Sequence, residues 1–145
     1  MLPTQEIEAV RALARASRFL ERASDELSLA HYRILSAVAS GDERASRVAH
    51  RLSLGKPTVS AAVDALTQRG LLARSDVKDD QRGTTLSLTT DGTALLARVE
   101  ADMIGRLHRV MALLPESDEV LHALVQLGAA IDEMRAETSP LEQPA

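Results

Sequence analysis

The chain has 145 residues, 45% of them hydrophobic and 26% charged, a composition typical of one ordered globular domain with a modest core. It contains no cysteine, which excludes disulfides, thiolate zinc sites, iron–sulfur clusters and thiol-based redox sensing. Its formal net charge is −4, yet residues 44–83 carry eight lysines and arginines against four acidic residues, while both flanking segments are net acidic. This basic centre favours a local polyanion-binding surface, with an unevenly charged, solvated surface as the alternative.

The sequence lacks the patterns that direct a protein to a membrane or to a metal. No apolar run approaches the ~20 residues that span a bilayer, and Glu6, Glu8 and Arg11 interrupt any secretory pattern near the first residue. The four histidines are scattered without paired ligand spacing. We therefore expect a cytoplasmic protein that holds no metal and no cofactor.

The first two predicted elements are helices. Apolar residues at spacings of three and four predict a helix over residues 3–23, with Ile7 and Val10 on its apolar face. Ser28 is a typical N-cap for a second helix, which ends near Gly41. Because only two residues of the chain are aromatic, aliphatic side chains must build any core around these helices.

Two further helices follow, separated by a tight break. The third is predicted over residues 46–52, and the segment 53–55 interrupts it. The fourth begins at Lys56 with a proline in its first turn, where a missing N–H costs nothing, and Gly70 stands where a helix C-cap belongs. The buried stripe of the fourth helix is predicted to be Val59, Ala62, Val63 and Leu66.

The pattern then changes from helical spacing to two short strands. Residues 71–74 and 84–88 are predicted to form a hairpin, because the second segment alternates apolar and polar residues. The polar, turn-rich segment 78–83 forms the tip of this hairpin.

Two long helices complete the predicted elements. Thr89 or Thr90 is predicted to cap the fifth, which Pro115 ends, and Ser117 to cap the sixth. The sixth repeats apolar residues at spacings of four and three, which indicates a seam for another helix. The seam consists of Val120, Leu124, Leu127, Ile131 and Met134. Because the domain is too small to cover these stripes, we expect a partner chain to do so; cover within the chain is the alternative.

Helices three and four with the hairpin predict a winged helix-turn-helix. A helix of this kind enters the major groove of DNA with its N-terminal residues at the base edges, and short polar residues such as Thr58 and Ser60 suit that place. A hairpin beside it reaches the minor groove, where the negative potential attracts a cation such as Arg82. We assign Asp80 to ordering the hairpin tip.

Residues 27–96 resemble the MarR (multiple antibiotic resistance regulator) family. The most specific part is Asp80-Gln81-Arg82-Gly83 with Leu88-Thr89 and Gly92, which is similar to the family's Asp-x-Arg wing signature and the Leu-Thr-x-x-Gly that follows it. The stretch 46–60 is similar to the family's helix-turn-helix. The resemblance implies a homodimer, in which the first, fifth and sixth helices of the two chains intertwine, bound to a palindromic operator.

The expected fold class is mainly α, with six helices and a small wing of two or three strands. Residues 29–91 are expected to form the winged helix-turn-helix domain, and residues 1–28 and 92–137 the dimerisation helices. Residues 138–145 are expected to be a disordered tail. The function implied is that of a sequence-specific transcriptional regulator, with repression as the expected action and double-stranded DNA and a second copy of the chain as partners.

The recognition helix departs from the family pattern. Arginines are frequent in the family where Ala61 and Ala65 stand here, and each arginine–guanine contact is worth roughly 1–3 kcal/mol of discrimination. Readout is therefore expected to depend on weak contacts and DNA shape. Ser53 stands where the family has its turn glycine, which predicts a wider or shifted turn. The residues expected to contact DNA are Ser46, Arg47, Lys56, Pro57, Thr58, Ser60, Ala61, Asp64, Arg74, Lys78, Arg82 and Gly83.

The resemblance also implies an effector site between the first, second and fifth helices, which in many relatives takes an aromatic anion. Such a site needs a cation, a hydrogen-bonding group and apolar walls. As an alternative, the two aromatic residues are ordinary core or interface residues and the arginines are solvated. The candidate residues are Arg15, Arg18, Phe19, Tyr32 and Met103.

Two other classes of function are weighed against a regulator. The missing recognition arginines and the acidic ends fit a winged-helix protein-interaction module, or a regulator with little intrinsic affinity for DNA. An enzyme is not expected, because the sequence has no Gly-x-Ser-x-Gly elbow, P-loop or Gly-x-Gly-x-x-Gly motif and no clustered acid–base residues.

Overall fold

The computed structural model of the protein describes residues 3–41, 44–76 and 84–137. This part of the chain forms six helices and one two-stranded sheet, which confirms the mainly α winged helix-turn-helix fold. No helix within it is long and apolar enough to cross a membrane. The elements are α1 Pro3–Glu21, α2 Leu29–Ala39, α3 Ala45–Arg51, α4 Lys56–Gln68, β1 Leu72–Asp76, β2 Thr84–Leu88, α5 Thr90–Met111 and α6 Ser117–Glu137.

The sheet is an antiparallel hairpin between α4 and α5. β1 and β2 pair in a register that places Leu72 opposite Leu88. An isolated bridge joins Arg44 to Thr85, so the segment before α3 adds a minimal third strand to the wing. The predicted tip of the hairpin, 78–83, lies outside the described residues.

An aliphatic core joins α2, α3 and α4 to the sheet and to the first half of α5. Each side chain of this kind contributes roughly 1.5–3 kcal/mol when it is buried. Three of the most deeply buried residues belong to α4, so one face of that helix is fixed against the core, although Ala62 is only partly buried. The most deeply buried side chains are Ile34, Leu35, Val48, Val59, Val63, Leu66, Leu86 and Val99.

Side-chain caps confirm two of the predicted helix starts. The Ser28 hydroxyl accepts a hydrogen bond from the backbone N–H of His31 at 3.1 Å. The Thr89 hydroxyl accepts one from the N–H of Gly92 at 2.9 Å, so Thr89 rather than Thr90 caps α5. The prediction for α6 was one residue late, because Ser117 is the first residue of that helix rather than its cap.

Three helices have boundaries that differ from the prediction by a few residues. α1 ends at Glu21 instead of residue 23, and α3 spans 45–51 instead of 46–52. α5 ends at Met111, well before Pro115, because turn hydrogen bonds replace the helical pattern there. The N–H groups of Leu113 and Leu114 donate to carbonyls three residues earlier, so the chain has left the helix before proline would end it.

The turn between α3 and α4 corrects the expectation about its glycine. Ser53 itself adopts a left-handed conformation with φ of 53°, whereas Gly55 has an ordinary φ of −64°. Serine therefore takes the left-handed position of this turn, two residues before the glycine. Hydrogen bonds from the N–H groups of Ser53 to His50 at 3.1 Å and of Leu54 to Ala49 at 2.9 Å hold this conformation.

Ser53→Val is expected to lower the free energy of unfolding by about 1–2 kcal/mol, because a β-branched residue is strained in the left-handed region. Ser53 is exposed, so the change removes no buried contact. Ser53→Gly is the control and is expected to leave stability unchanged or to raise it by up to about 1 kcal/mol. Urea denaturation of the three proteins measures the difference. Equal stability of the serine and valine proteins would contradict the left-handed assignment.

Candidate nucleic-acid interface

α4 presents one buried face and one exposed face. Its buried stripe fixes the rotation of the helix about its own axis, so the residues on the opposite side point away from the core. Thr58 and Ser60 flank this exposed line, and both are exposed. The exposed line, at spacings of four, three and four, consists of Pro57, Ala61, Asp64 and Gln68.

The first turn of α4 is open to an anion. Gly55 precedes the helix and provides no side-chain cap, while its carbonyl accepts the first helical hydrogen bond, from the N–H of Val59 at 3.1 Å. Lys56, in the first turn, is exposed. Backbone N–H groups at a helix N-terminus carry partial positive charge, which favours phosphate oxygens there.

A cavity of about 310 Å³ lies beside this turn, between α3, α4 and the sheet. Its exposed lining residues are Ser46, Ser60, Lys56 and Arg74, two hydroxyls and two cations. Its buried lining residues are Val59, Val63 and Leu86, which belong to the core. The cavity therefore has an apolar floor and a cationic, hydrogen-bonding mouth.

An ion pair crosses from the recognition helix to the wing. Arg74 on β1 donates from Nη2 to Oδ1 of Asp64 on α4. Both side chains were predicted to contact DNA separately; the structure brings them together. The spacing of residues along the sequence does not predict such a pair, because the distance between the two side chains depends on the angle between the strand and the helix.

The remaining predicted DNA contacts fall into two groups. Arg47 is exposed on α3, one residue from the cavity-lining Ser46. The wing-tip candidates Lys78, Arg82 and Gly83, with Asp80 as the residue expected to order the tip, lie outside the described residues. Arg44 was not among the predicted DNA contacts. It lies immediately before α3 and forms a β-bridge to β2. In the sequence, only its positive charge indicated that it could contact DNA.

The effector candidates lie on α1, α2 and α5 in separate contacts. The guanidinium of Arg106 lies 4.5 Å from the centroid of the Phe19 ring and also donates to the Arg22 carbonyl at 2.8 Å. The Tyr32 hydroxyl donates to Oε1 of Glu100 at 3.2 Å. Sequence reasoning missed Arg106 and Glu100, because nothing in their spacing indicates which face of α5 meets the aromatic residues.

The other three effector candidates have different surroundings. Arg18 pairs with Glu21 on the same helix at 3.1 Å, and Arg15 is exposed. Met103 is buried in the core. Phe19 and Tyr32 are half-buried. Phe19 meets the cation of Arg106, which is one component of the expected site, whereas Tyr32 meets the carboxylate of Glu100, which the expectation did not include and which repels an anion.

Tyr32 provides a direct test of these contacts. Burial raises the pKa of the Tyr32 hydroxyl, and the nearby Glu100 carboxylate raises it further. Tyr32 is the single tyrosine and the chain has no tryptophan, so near-ultraviolet absorbance reports its titration alone. We expect a midpoint above the usual value of about 10. Because the pKa is raised, this contribution to stability is present below pH ~10 and is lost as the pH rises through the folded-state pKa.

Glu100→Gln is expected to lower that pKa towards the ordinary value, though not completely, because burial is the larger cause. Urea-unfolded protein is the control and is expected to titrate at the ordinary value. An unshifted midpoint in the folded protein would show that Tyr32 is neither buried nor next to Glu100.

The terminal helices expose the apolar residues predicted to form a dimer. α6 contains no buried residue, and Val120 is partly buried. The helix touches its own domain mainly at its C-terminal end, where Nη1 of Arg135 donates to the Arg51 carbonyl at 2.7 Å. Within the part of the chain that the structure describes, no other element therefore buries these apolar side chains. The residues that remain 36% to 67% exposed are Ile7, Val10, Leu124, Leu127, Ile131 and Met134.

The chain is similar to a known family and to known proteins. Residues 25–83 match the model of the MarR family. The HTH-type transcriptional regulator PecS of Dickeya dadantii (strain 3937) is 26% identical over 137 residues, which cover 88% of this chain and 82% of PecS.

Solved structures are also similar over most of the chain. The transcriptional repressor CouR, solved bound to a 23-mer DNA duplex, is 27% identical with a TM-score of 0.74, over 90% of this chain and 92% of CouR. The PcaV transcriptional regulator of Streptomyces coelicolor, solved with its natural ligand, is 25% identical with a TM-score of 0.66, over 84% of this chain and 89% of PcaV. The helix-turn-helix, the wing strands and the long flanking helices agree with these matches, and the chain is similar to the MarR family of transcriptional regulators in the sequence of its helix-turn-helix and in its fold.

Proposed function

We propose that the protein is a transcriptional repressor that binds a palindromic operator as a homodimer. The observation that carries the proposal is the cationic cavity beside the exposed face of α4. A helix with this exposed face and a fixed inner face suits the major groove. CouR, a repressor solved on a DNA duplex, supports the same arrangement.

The dimer follows from the exposed apolar residues of α1 and α6. Side chains of this type leave water when a second copy packs against them, and each contributes roughly 0.5–2 kcal/mol for the part that is still exposed. A two-fold dimer repeats the recognition helix about an axis, and an operator with the same symmetry is then a palindrome. In this arrangement residues 29–91 bind DNA, and residues 1–28 and 92–137 form the dimer. The first half of α5 also belongs to the core of the DNA-binding part, to which it contributes Leu95, Leu96, Val99 and Met103.

The two halves of the interface have different tasks. Base readout belongs to the exposed part of α4, with Thr58 and Ser60 as hydrogen-bonding residues and the methyl group of Ala61 against a thymine methyl. Phosphates are held by cations and hydroxyls around the cavity, while the wing enters the minor groove. The phosphate ligands in this proposal are Ser46, Arg47, Lys56, Arg74 and Lys78, and the minor-groove residues are Arg82 and Gly83.

A small aromatic anion is the proposed effector. PcaV, solved with its natural ligand, supports regulation by a small molecule in this fold. In this chain α1 and α5 supply an aromatic ring and a cation at Phe19 and Arg106, whereas the Tyr32 hydroxyl of α2 already donates to the Glu100 carboxylate, so the proposed anion lies on the side of Phe19 and Arg106. Binding there would change how α1 and α5 meet, and with them the distance between the two recognition helices. The proposed location of the protein is the cytoplasm.

The experiment is a gel-shift titration of the full-length protein against DNA from upstream of its own gene. The proposal predicts a discrete complex at nanomolar protein that resists an excess of unrelated duplex and weakens steeply as salt rises, by a slope of about 0.9 per phosphate contacted. Binding that unrelated duplex removes completely would contradict sequence-specific recognition.

One observation favours a second candidate function. None of the four residues on the outermost line of α4 is a cation, and one of them is Asp64. A winged-helix module that binds another protein would have this property. The same titration separates the two candidates, because a protein-interaction module forms no discrete complex with any duplex.

Ala61→Arg tests the placement of α4. We expect the variant to gain preference for operators with guanine at the facing base pair by roughly 1–3 kcal/mol, or about 5- to 150-fold. Fluorescence anisotropy with a panel of single-base operator variants measures this preference. Ala129→Arg, which adds the same charge to α6, is the matched control. Unchanged affinity and unchanged preference for Ala61→Arg would show that this position does not face the groove.

A further inference from the structure

The pair of Asp64 and Arg74 links the two parts of the proposed DNA surface. Asp64 lies on the outermost line of α4, and Arg74 lies on β1 beyond the turn at Gly70. Their side chains are 56% and 40% exposed, so the pair lies at the surface. Surface ion pairs add little to folding stability. A role in DNA binding therefore explains this pair better than a role in folding.

Arg74 has further hydrogen-bond donors beyond the one that Asp64 accepts from. A guanidinium carries five N–H groups in a planar fork, so one can bond a carboxylate while others bond a phosphate. Arg74 also lines the 310 Å³ cavity together with Lys56 and Ser60. Two cations therefore border one space beside the first turn of α4.

A carboxylate at this place is unfavourable on simple electrostatic grounds, because it repels the phosphates of any duplex. Paired with Arg74, the Asp64 carboxylate has two effects. It cancels the charge of the guanidinium at distances much longer than the pair itself, and it fixes the direction of the remaining donors. The first effect weakens contact with DNA in general, while the second favours one bound geometry.

We propose that Asp64 is a positioning residue that sets the specificity of DNA recognition through Arg74 and contacts no base itself. It holds the guanidinium at the cavity mouth, so that the remaining donors meet a backbone phosphate only when α4 is seated in the register of the operator. This inference rests on the proposed function, since it requires α4 to bind DNA.

The test measures specificity with the full-length protein. Wild-type protein selects a duplex from a random pool, and fluorescence anisotropy then gives its affinity for that duplex and for a scrambled duplex of equal length and composition. The same titrations are made with Asp64→Asn, with Arg74→Ala and with the double variant. Asp64→Glu is the conservative rescue, and Asp25→Asn, in the exposed loop before α2, is the control for loss of one negative charge.

Asp64→Asn is expected to bind the scrambled duplex more tightly and to bind the selected duplex no more tightly than the wild type. The ratio of the two affinities is therefore expected to fall about tenfold, which is the effect of one oriented charge-assisted hydrogen bond. Arg74→Ala is expected to weaken both and to reduce the slope of log affinity against log salt by about one phosphate contact. In the Arg74→Ala protein, Asp64→Asn is expected to strengthen binding of both duplexes equally, because it removes an unpaired carboxylate, and to leave the ratio of the two affinities unchanged. Asp64→Glu is expected to recover most of the ratio.

Four outcomes would overturn the inference. A change in preference at one base pair that persists in the Arg74→Ala protein would mean that Asp64 reads a base directly. An equal loss in Asp25→Asn would mean that net charge alone is responsible. If wild-type protein discriminates between the duplexes and Asp64→Asn retains the ratio, the inference fails and the proposed function stands. If wild-type protein does not discriminate, both fail.

Discussion

Leu127→Asp is expected to separate the homodimer into monomers and to abolish operator binding at nanomolar protein. Leu127 lies in the middle of the α6 seam and is 38% exposed in the single chain. Burial of a leucine is worth roughly 1.5–3 kcal/mol, and a homodimer contains the substitution twice. Because only the exposed part of Leu127 remains to be covered, the two copies lose about 1–2 kcal/mol of apolar burial, and burying two unpaired carboxylates costs several kcal/mol more, so the dissociation constant of the dimer rises by roughly 100-fold or more.

Sedimentation velocity measures the first effect and anisotropy on the selected operator measures the second. Ala129→Asp adds the same charge on the opposite side of α6 and is expected to leave the dimer intact. The single chain folds around its own core of α2 to α5, so the Leu127→Asp monomer is expected to keep its helical circular-dichroism spectrum. A stable Leu127→Asp dimer would show that another surface holds the two copies together.

Gly92→Ala is expected to lower the free energy of unfolding by about 3 kcal/mol and to displace the wing from the recognition helix. A Cβ atom at Gly92 would meet the backbone of Leu71, with the carbonyl carbon 3.0 Å away and its oxygen closer still. Overpacking of this kind costs about 1–3 kcal/mol when side chains can yield, and a backbone carbonyl yields less.

The same place holds the base of the wing to α5. The N–H of Thr89 donates to the Leu71 carbonyl at 3.1 Å, and the Thr89 hydroxyl donates to the Gly70 carbonyl at 2.6 Å. To relieve the clash, α5 must move away from Leu71, and these hydrogen bonds then lengthen. Because the wing strand begins immediately after Leu71, we expect weaker operator binding as well as lower stability.

Urea denaturation measures the change, with Gly105→Ala as the matched control. Gly105 lies on the same helix, and an added Cβ there has no neighbour within 4 Å in the single chain. Alanine is the better helix former by up to about 1 kcal/mol, so the control is expected to be unchanged or more stable. Equal stability of the Gly92→Ala and wild-type proteins would mean that α5 does not approach Leu71 as closely as described.

Much of the fold could be predicted from the sequence, because local rules decide those parts. Ser28 and Thr89 cap their helices through bonds that span only three residues. The strand at 84–88 follows from alternation of apolar and polar residues, and the buried stripe of α4 follows from its 3.6-residue period. Each of these features depends on neighbours in the chain, so a single sequence contains enough information.

The parts that could not be predicted depend on distances between elements. The pair of Asp64 with Arg74 needs the angle between α4 and β1, and the stacking of Arg106 on Phe19 needs the packing of α1 on α5. The conformation of Ser53 was also missed, because serine shows no general preference for the left-handed region and only the surrounding helices impose it.

The central claim is that two copies of α4 meet successive turns of one duplex. Selection of bound fragments from a random DNA pool, followed by native mass spectrometry of the selected complex, tests it most directly. We predict an inverted repeat with half-site centres one helical turn, about 10–10.5 base pairs, apart, and two chains on each duplex. An unrepeated site occupied by a single chain would contradict the account.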